Sequence, residues 1–127
     1  MSKPISRQVH GVLDYSAAPL VAAAPALVGF TEDKNPTLLG YVLGGGILAL
    51  TACTRAEWGL VKSVPFKTHL TLDLVTALTS LSAPWLFGFS KNKKARNTFL
   101  AIGATLLTTG LLSEPEEMPK YRELGSK

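Results

Sequence analysis

The chain has 127 residues, of which 46% are hydrophobic and 17% are charged, and its net charge is +4. This length suits one domain, and neither percentage separates soluble from membrane proteins. One cysteine and two histidines exclude a redox dithiol and the usual cysteine-rich zinc frameworks.

Four stretches without Asp, Glu, Lys or Arg predict four membrane-spanning helices. They cover residues 15–31, 35–54, 74–90 and 97–113, and short polar segments separate them. A bilayer core about 30 Å thick needs about 20 helical residues, so each helix takes a turn from its polar flanks. A soluble four-helix bundle is the alternative, but residues 38–50 lack the polar stripe that it requires. We therefore predict an all-α, polytopic membrane protein.

An internal repeat relates the two halves of the chain at an offset of 59 residues. The shared pattern is HxxxDx(10)PxxxGF, and it pairs His10 with His69, Asp14 with Asp73, Pro25 with Pro84, Gly29 with Gly88, and Phe30 with Phe89. Each repeat contains two spans, so both repeats cross the membrane in the same sense and are parallel repeats. The repeat also favours a retained first helix over a cleaved signal peptide at the N-terminus.

The repeat sets the predicted domain organisation. We expect one membrane domain over residues 1–127, with repeat 1 at about 4–59 and repeat 2 at about 63–118. A polar tail occupies residues 114–127. Both termini and the loop between helices 2 and 3 then lie on one side of the bundle, which we call the terminal face.

The PxxxGF end of helices 1 and 3 is predicted to kink, cap and anchor them. Proline removes a backbone donor, so Pro25 and Pro84 are expected to kink the last turn. Gly29 and Gly88 are suited to left-handed C-terminal caps. The aromatic residues at this end are expected to anchor the protein at the membrane interface, namely Phe30, Trp85, Phe87 and Phe89.

The stretch Ser82-Ala83-Pro84-Trp85-Leu86-Phe87-Gly88-Phe89, between an apolar helix and a polar loop, resembles the SPW repeat of small bacterial and archaeal membrane proteins. Ala83 is inserted relative to the family motif, and the first half has Ala24-Pro25-Ala26 in its place. The resemblance implies one or two two-helix membrane units, here in the bacterial inner membrane. It implies no activity.

Helices 2 and 4 carry small residues suited to close helix packing. These residues are Gly40, Gly44, Gly103 and Gly110. Glycine faces let neighbouring backbones approach, either within the bundle or against another membrane subunit.

Ionisable residues at repeat-related positions form the one predicted polar cluster or ligand site. Its members are His10, Asp14, Glu57, His69, Asp73 and Glu116. Each His–Asp pair is four residues apart and so shares a helix face. Charged groups near a bilayer are costly and usually face the bundle interior.

Three hypotheses explain this cluster. In the structural hypothesis, each Asp accepts from its own His or from the neighbouring helix, and the Glu side chains tie the helix ends together. In the ligand hypothesis, His10 and His69 meet across the pseudo-twofold axis and bind a metal, haem or pigment, with Asp fixing the imidazole tautomer. In the transport hypothesis, the groups conduct protons or ions. The structural hypothesis is favoured, with no catalytic residue and no cofactor.

We therefore expect a non-enzymatic scaffold or accessory subunit of a larger membrane complex. Its expected partners are the lipid bilayer and other membrane subunits, reached through the glycine faces or the tail. The pI of about 9.4 reflects loops that flank spans and suggests anionic lipid rather than nucleic acid. The terminal face carries eight Lys and Arg residues against five opposite, which favours cytoplasmic termini.

Overall fold

A computed structural model describes residues 3–120, and within that range the chain forms four α-helices and no sheet. The helices are α1 (Arg7–Ala24), α2 (Lys34–Ala52), α3 (Phe66–Leu86) and α4 (Lys93–Leu112). α1 and α3 begin 59 residues apart, as do α2 and α4, which matches the sequence repeat. Side-chain caps define two of the starts, because Ser6 accepts from the Val9 amide and Asn92 accepts from the Ala95 amide.

The ends of α1 and α3 use proline and glycine in related ways. α1 continues into a π-helical turn, Pro25–Gly29, whereas α3 contains Pro84 within its last α-helical turn. Gly29 and Gly88 have φ angles of 93° and 73°, the left-handed conformation of a C-terminal cap. In both repeats the amide after the glycine donates to the proline carbonyl, at 2.9 Å in the first repeat and 2.8 Å in the second.

Phe30 and Phe89 are core residues, which corrects their prediction as interface anchors. They are 3% and 2% exposed and pack against Phe99, with ring centroids 6.4 Å and 5.2 Å away. The left-handed glycine reverses the chain, so the residue after it returns to the bundle. Trp85 precedes the glycine and is 61% exposed on the outer surface.

The predicted packing glycines lie inside the two hairpins. α1 packs mainly on α2, and α3 mainly on α4. A methyl group at Gly44 would lie 2.8 Å from the Ala18 carbonyl oxygen, and one at Gly103 would lie 2.9 Å from the Ala77 carbonyl oxygen. Gly40 and Gly110 make similar approaches to Pro25 and Leu74, both at 3.1 Å. These faces therefore serve packing between the helices of one hairpin.

The two hairpins meet through an apolar cluster and through paired backbones at the terminal face. The cluster comprises Ala18, Val21, Ile47, Ala77 and Leu106. At the terminal face, short parallel bridges join Ile5 to Ser113 and Val64 to Thr54. These bridges are related by the 59-residue offset, and they fix the chain just beyond the ends of α2 and α4.

The start of the predicted tail lies across the terminal face. The Glu114 amide donates to the Ile5 carbonyl at 2.8 Å, and a Glu114 carboxylate oxygen accepts from the Lys3 amide at 2.7 Å. The remainder of the tail, residues 121–127, lies outside the described residues.

Among the described residues, two helical segments are long and apolar enough to cross a membrane, namely Arg7–Gly29 and Lys34–Ala52. The sequence prediction of four spans is therefore supported for two helices. α3 and α4 are not among these segments: α3 contains Lys67 and Asp73, and α4 begins with the charged stretch KKAR.

Candidate functional site

Two histidines and two aspartates converge near the terminal face, between α1 and α3. His10 and Asp14 lie on α1, and the repeat-related His69 and Asp73 lie on α3. Spacing of four residues puts each pair on one helix face, and both faces point into the bundle. All four side chains are buried, with exposures from 0% to 6%. We call these four residues the His/Asp centre.

Four short contacts close the His/Asp centre into a ring. His10 Nε2 lies 2.9 Å from Asp73 Oδ2 and 3.1 Å from Asp14 Oδ2. His69 Nε2 lies 2.8 Å from Asp14 Oδ2 and 3.1 Å from Asp73 Oδ2. The shorter contact in each case crosses between the repeats. Each histidine Nε2 therefore contacts one aspartate on its own helix and one on the neighbouring helix.

Hydroxyl groups fix which nitrogen of each imidazole carries hydrogen. Thr54 Oγ1 lies 2.7 Å from His69 Nδ1, and Ser113 Oγ lies 2.7 Å from His10 Nδ1. Each hydroxyl also donates its hydrogen to a carbonyl four residues earlier, at 2.6 Å in both cases. A hydroxyl has a single hydrogen, so it must accept from the histidine. Both histidines therefore hold a proton on Nδ1 and direct Nε2 at the carboxylates.

Aromatic side chains surround the histidines. Phe66 stacks on His69 with centroids 5.8 Å apart and meets His10 edge-on at 5.5 Å. Trp58 packs edge-on against His69 at 5.7 Å, and its indole N–H donates to the Arg7 carbonyl at 2.8 Å. This indole rests on Gly11, where a methyl group would collide with it. The rings exclude water from the His/Asp centre and hold the imidazoles in place.

Glu57 and Glu116 lie outside the His/Asp centre, although the sequence pattern grouped all six ionisable residues. Both follow the last turns of their helices, on the terminal face. Glu57 accepts two bonds from the Arg7 guanidinium, at 2.6 Å and 2.9 Å, and the Glu116 backbone carbonyl accepts a third at 2.6 Å. Hydrogen bonding from Arg7 lowers the pKa of Glu57, against the opposing effect of partial burial.

Several residues of the site were missed by sequence reasoning. Thr54 and Ser113 are themselves 59 residues apart, so the repeat offset that pairs the histidines also pairs their hydroxyl partners. Arg7 and Trp58 occur in one repeat alone, since the offset matches them to Phe66 and Glu117. No repeat signal could identify these two residues.

The arrangement is suited to holding positive charge between two carboxylates. Its burial behind Phe66 and Trp58 gives a soluble substrate no contact with the four groups. The four groups instead join the first helices of the two repeats.

The fold and site define a class: an all-α protein made of two helical hairpin repeats whose first helices share a buried His/Asp centre. The sequence profile of the SPW repeat domain matches residues 8–113, so the chain belongs to the SPW repeat family. No curated protein and no solved structure shows a significant match to the chain.

Proposed function

We propose that this chain is an integral membrane protein whose four helices all cross the bilayer, and that it is a non-enzymatic scaffold or accessory subunit. The observation that carries the membrane assignment is the apolar outer surface of the bundle. Large hydrophobic side chains are more than half exposed on every helix, among them Leu20, Val42, Leu78 and Leu111. Large hydrophobic side chains exposed on every helix are suited to contact with lipid, since soluble monomers rarely expose large apolar patches.

The burial of the two most apolar helices supports a lipid environment. Only 33% of the most apolar 18-residue window in Arg7–Gly29 is buried, and 28% of that in Lys34–Ala52. A core helix of a soluble protein would be mostly buried. Lipid accommodates these outward apolar side chains at no hydrophobic cost.

The threonines of α3 and α4 are compatible with lipid. Thr76 and Thr79 on α3, and Thr105 and Thr108 on α4, each donate to the carbonyl four residues earlier at 2.8 Å. A hydroxyl bonded to its own helix leaves no unpaired donor in hydrocarbon. The threonines of α3 and α4 are therefore no barrier to crossing the membrane.

The scaffold role is supported by how the polar groups are used. The His/Asp centre joins α1 to α3, and the Arg7–Glu57 pair joins α1 to the loop after α2. An apolar groove of about 370 Å³ lies between α1 and α4 and is lined by residues such as Leu20, Val28 and Ile102. Such a groove offers a surface for a lipid chain or a helix of a neighbouring subunit.

Site-directed labelling in intact membranes tests the four spans. In a Cys53→Ser background, a membrane-impermeant maleimide should label Leu60→Cys from one side and Lys91→Cys from the other. Leu78→Cys and Thr105→Cys, outward-facing near the middle of α3 and α4, should resist labelling from both sides. Rapid labelling of either mid-helix cysteine, or labelling of Leu60→Cys and Lys91→Cys from the same side, would contradict four spans.

Purification from native membranes in mild detergent tests the subunit role separately. The proposal predicts that the chain migrates with other membrane proteins as a complex of defined stoichiometry. Recovery as a lone monomer without partners would contradict the subunit role and leave the four spans intact.

A further inference from the structure

The charge arrangement of the His/Asp centre points to a cation as its occupant. Thr54 and Ser113 fix hydrogen on each Nδ1, so a neutral imidazole would direct the lone pair of Nε2 at two carboxylate oxygens. Lone pairs facing each other at 2.8–3.1 Å repel. Two positive charges relieve this repulsion, either as two protons or as one divalent ion.

The size of the ring fits a transition-metal ion. One ligand atom from each of the four residues lies within 4.8 Å of the other three, and the short contacts join two Nε2 and two Oδ2 atoms. If the four atoms stood at the corners of a planar square with sides of 2.8–3.1 Å, its centre would lie about 2 Å from each atom, close to the bond lengths that zinc makes to histidine nitrogen and carboxylate oxygen. Tetrahedral coordination needs all six distances between the ligand atoms to be about 3.3 Å, so the four contacts would lengthen by about 0.2–0.5 Å as the ring folds.

We propose that His10, Asp14, His69 and Asp73 bind one divalent transition-metal ion of the zinc class. Imidazole nitrogen favours zinc over magnesium or calcium, and two carboxylates neutralise the charge of a divalent ion. Thr54 and Ser113 accept the outer N–H of each ligand histidine, which is how metal-binding histidines are usually oriented. The edge-on packing of the imidazoles, with centroids 5.1 Å apart, favours a single ion over a planar macrocycle.

The ion would link the two repeats, because each repeat supplies one histidine and one aspartate. This assignment does not rest on the four-span proposal, since the ligand geometry is set by α1 and α3 in any surroundings. Lys62 donates to the Gly59 carbonyl and Arg7 pairs with Glu57, so both cations are engaged outside the ligand ring. The carboxylates of Asp14 and Asp73 therefore balance the charge of the divalent ion.

Zinc titration of the purified full-length chain, after treatment with a chelator, tests the site. We expect one Zn²⁺ per chain, a higher unfolding temperature with Zn²⁺ but not Mg²⁺, and release of one or two protons per ion. Co²⁺ in the same site should give the intense visible absorption of four-coordinate cobalt. Absence of zinc binding by the wild-type chain, or binding without proton release, would overturn the proposal.

Variants separate this site from surface binding. The double variant Asp14→Asn/Asp73→Asn should weaken zinc binding by at least about 100-fold, and Glu57→Gln at the terminal face should bind as the wild type does. If the double variant does not fold, Thr54→Val and Ser113→Ala keep all four ligands and should weaken binding about 10- to 100-fold. Wild-type affinity in the folded double variant would place the zinc elsewhere, and wild-type affinity in both hydroxyl variants would show that Thr54 and Ser113 do not orient the ligands; either result would overturn the proposal.

Discussion

Asp14 of the first repeat lies 2.8 Å from the Nε2 of His69 in the second repeat, closer than the 3.1 Å that separates it from His10 on its own helix. Asp73 repeats this relationship with His10 at 2.9 Å. Because α1 and α3 share few other contacts, the crossed pairs are a principal polar connection between the hairpins. The sequence repeat therefore corresponds in the structure to two equivalent His–Asp contacts, each of which joins one repeat to the other.

Removing a hydroxyl partner of a histidine should destabilise the protein. In Thr54→Val the Nδ1 hydrogen of His69 loses its acceptor in a buried site, and an unsatisfied buried donor costs about 1–3 kcal/mol. Chemical denaturation in detergent micelles measures this loss. Thr76→Val is the matched control, because the Thr76 hydroxyl is outward-facing and bonds its own helix; its effect should stay within about 0.5 kcal/mol. Equal effects of the two substitutions would contradict the assigned role of Thr54.

Adjacent glycines of α2 should respond oppositely to alanine. Gly44→Ala would place a methyl group 2.8 Å from the backbone and side chain of α1, and such overpacking costs about 1–3 kcal/mol. Gly45 has no atom within 4 Å of the added methyl, so Gly45→Ala should be neutral or stabilise α2 by up to about 1 kcal/mol. Thermal unfolding of both variants under one condition gives the comparison. A larger loss from Gly45→Ala would show that α2 is rotated relative to α1.

Replacing Gly88, the C-terminal cap of α3, should destabilise the protein through backbone strain alone. Gly88 has a φ of 73° and open space around its missing side chain, so Gly88→Ala should cost about 1–2 kcal/mol from left-handed strain. Gly46→Ala, also in open space but within α2, provides the control and should not destabilise. Denaturant midpoints of the two variants test the cap, and an unchanged midpoint for Gly88→Ala would contradict it.

The Arg7–Glu57 pair should make part of the free energy of unfolding depend on pH in the acidic range. The folded-state pKa of Glu57 is lowered, so the pair contributes fully to the free energy of unfolding at pH values above the ordinary pKa of glutamate. This contribution is lost as pH falls through the folded-state pKa. Unfolding measured from about pH 7 to about pH 3 should show a smaller decline in Glu57→Gln than in the wild type. Glu32→Gln, exposed at the opposite end, should retain the wild-type decline. The difference should not exceed about 1 kcal/mol, since Glu57 is partly exposed.

Sequence periodicity predicted the helices, and the gap-free repeat raised the meeting of His10 with His69 as one hypothesis, because it carries equivalent residues to equivalent positions. It could not predict the burial of Phe30, which depends on the direction the chain takes after a left-handed glycine. Nor could it separate Glu57 from the His/Asp centre, because that separation depends on Arg7, a residue without a counterpart in the second repeat. Local sequence patterns identified the helices, whereas residues without a counterpart in the other repeat, such as Arg7, determined which ionisable groups join the His/Asp centre.

A double-mutant cycle measures most directly whether His69 and Asp14 interact across the repeats. His69→Ala and Asp14→Ala should each cost about 3–5 kcal/mol, because each leaves a buried partner uncompensated. Their combination should fall short of the sum by about 1–3 kcal/mol, whereas Asp14→Ala with Asp33→Ala, at the opposite end, should be additive within about 0.5 kcal/mol. Additive effects of His69→Ala and Asp14→Ala would contradict the crossed pairing.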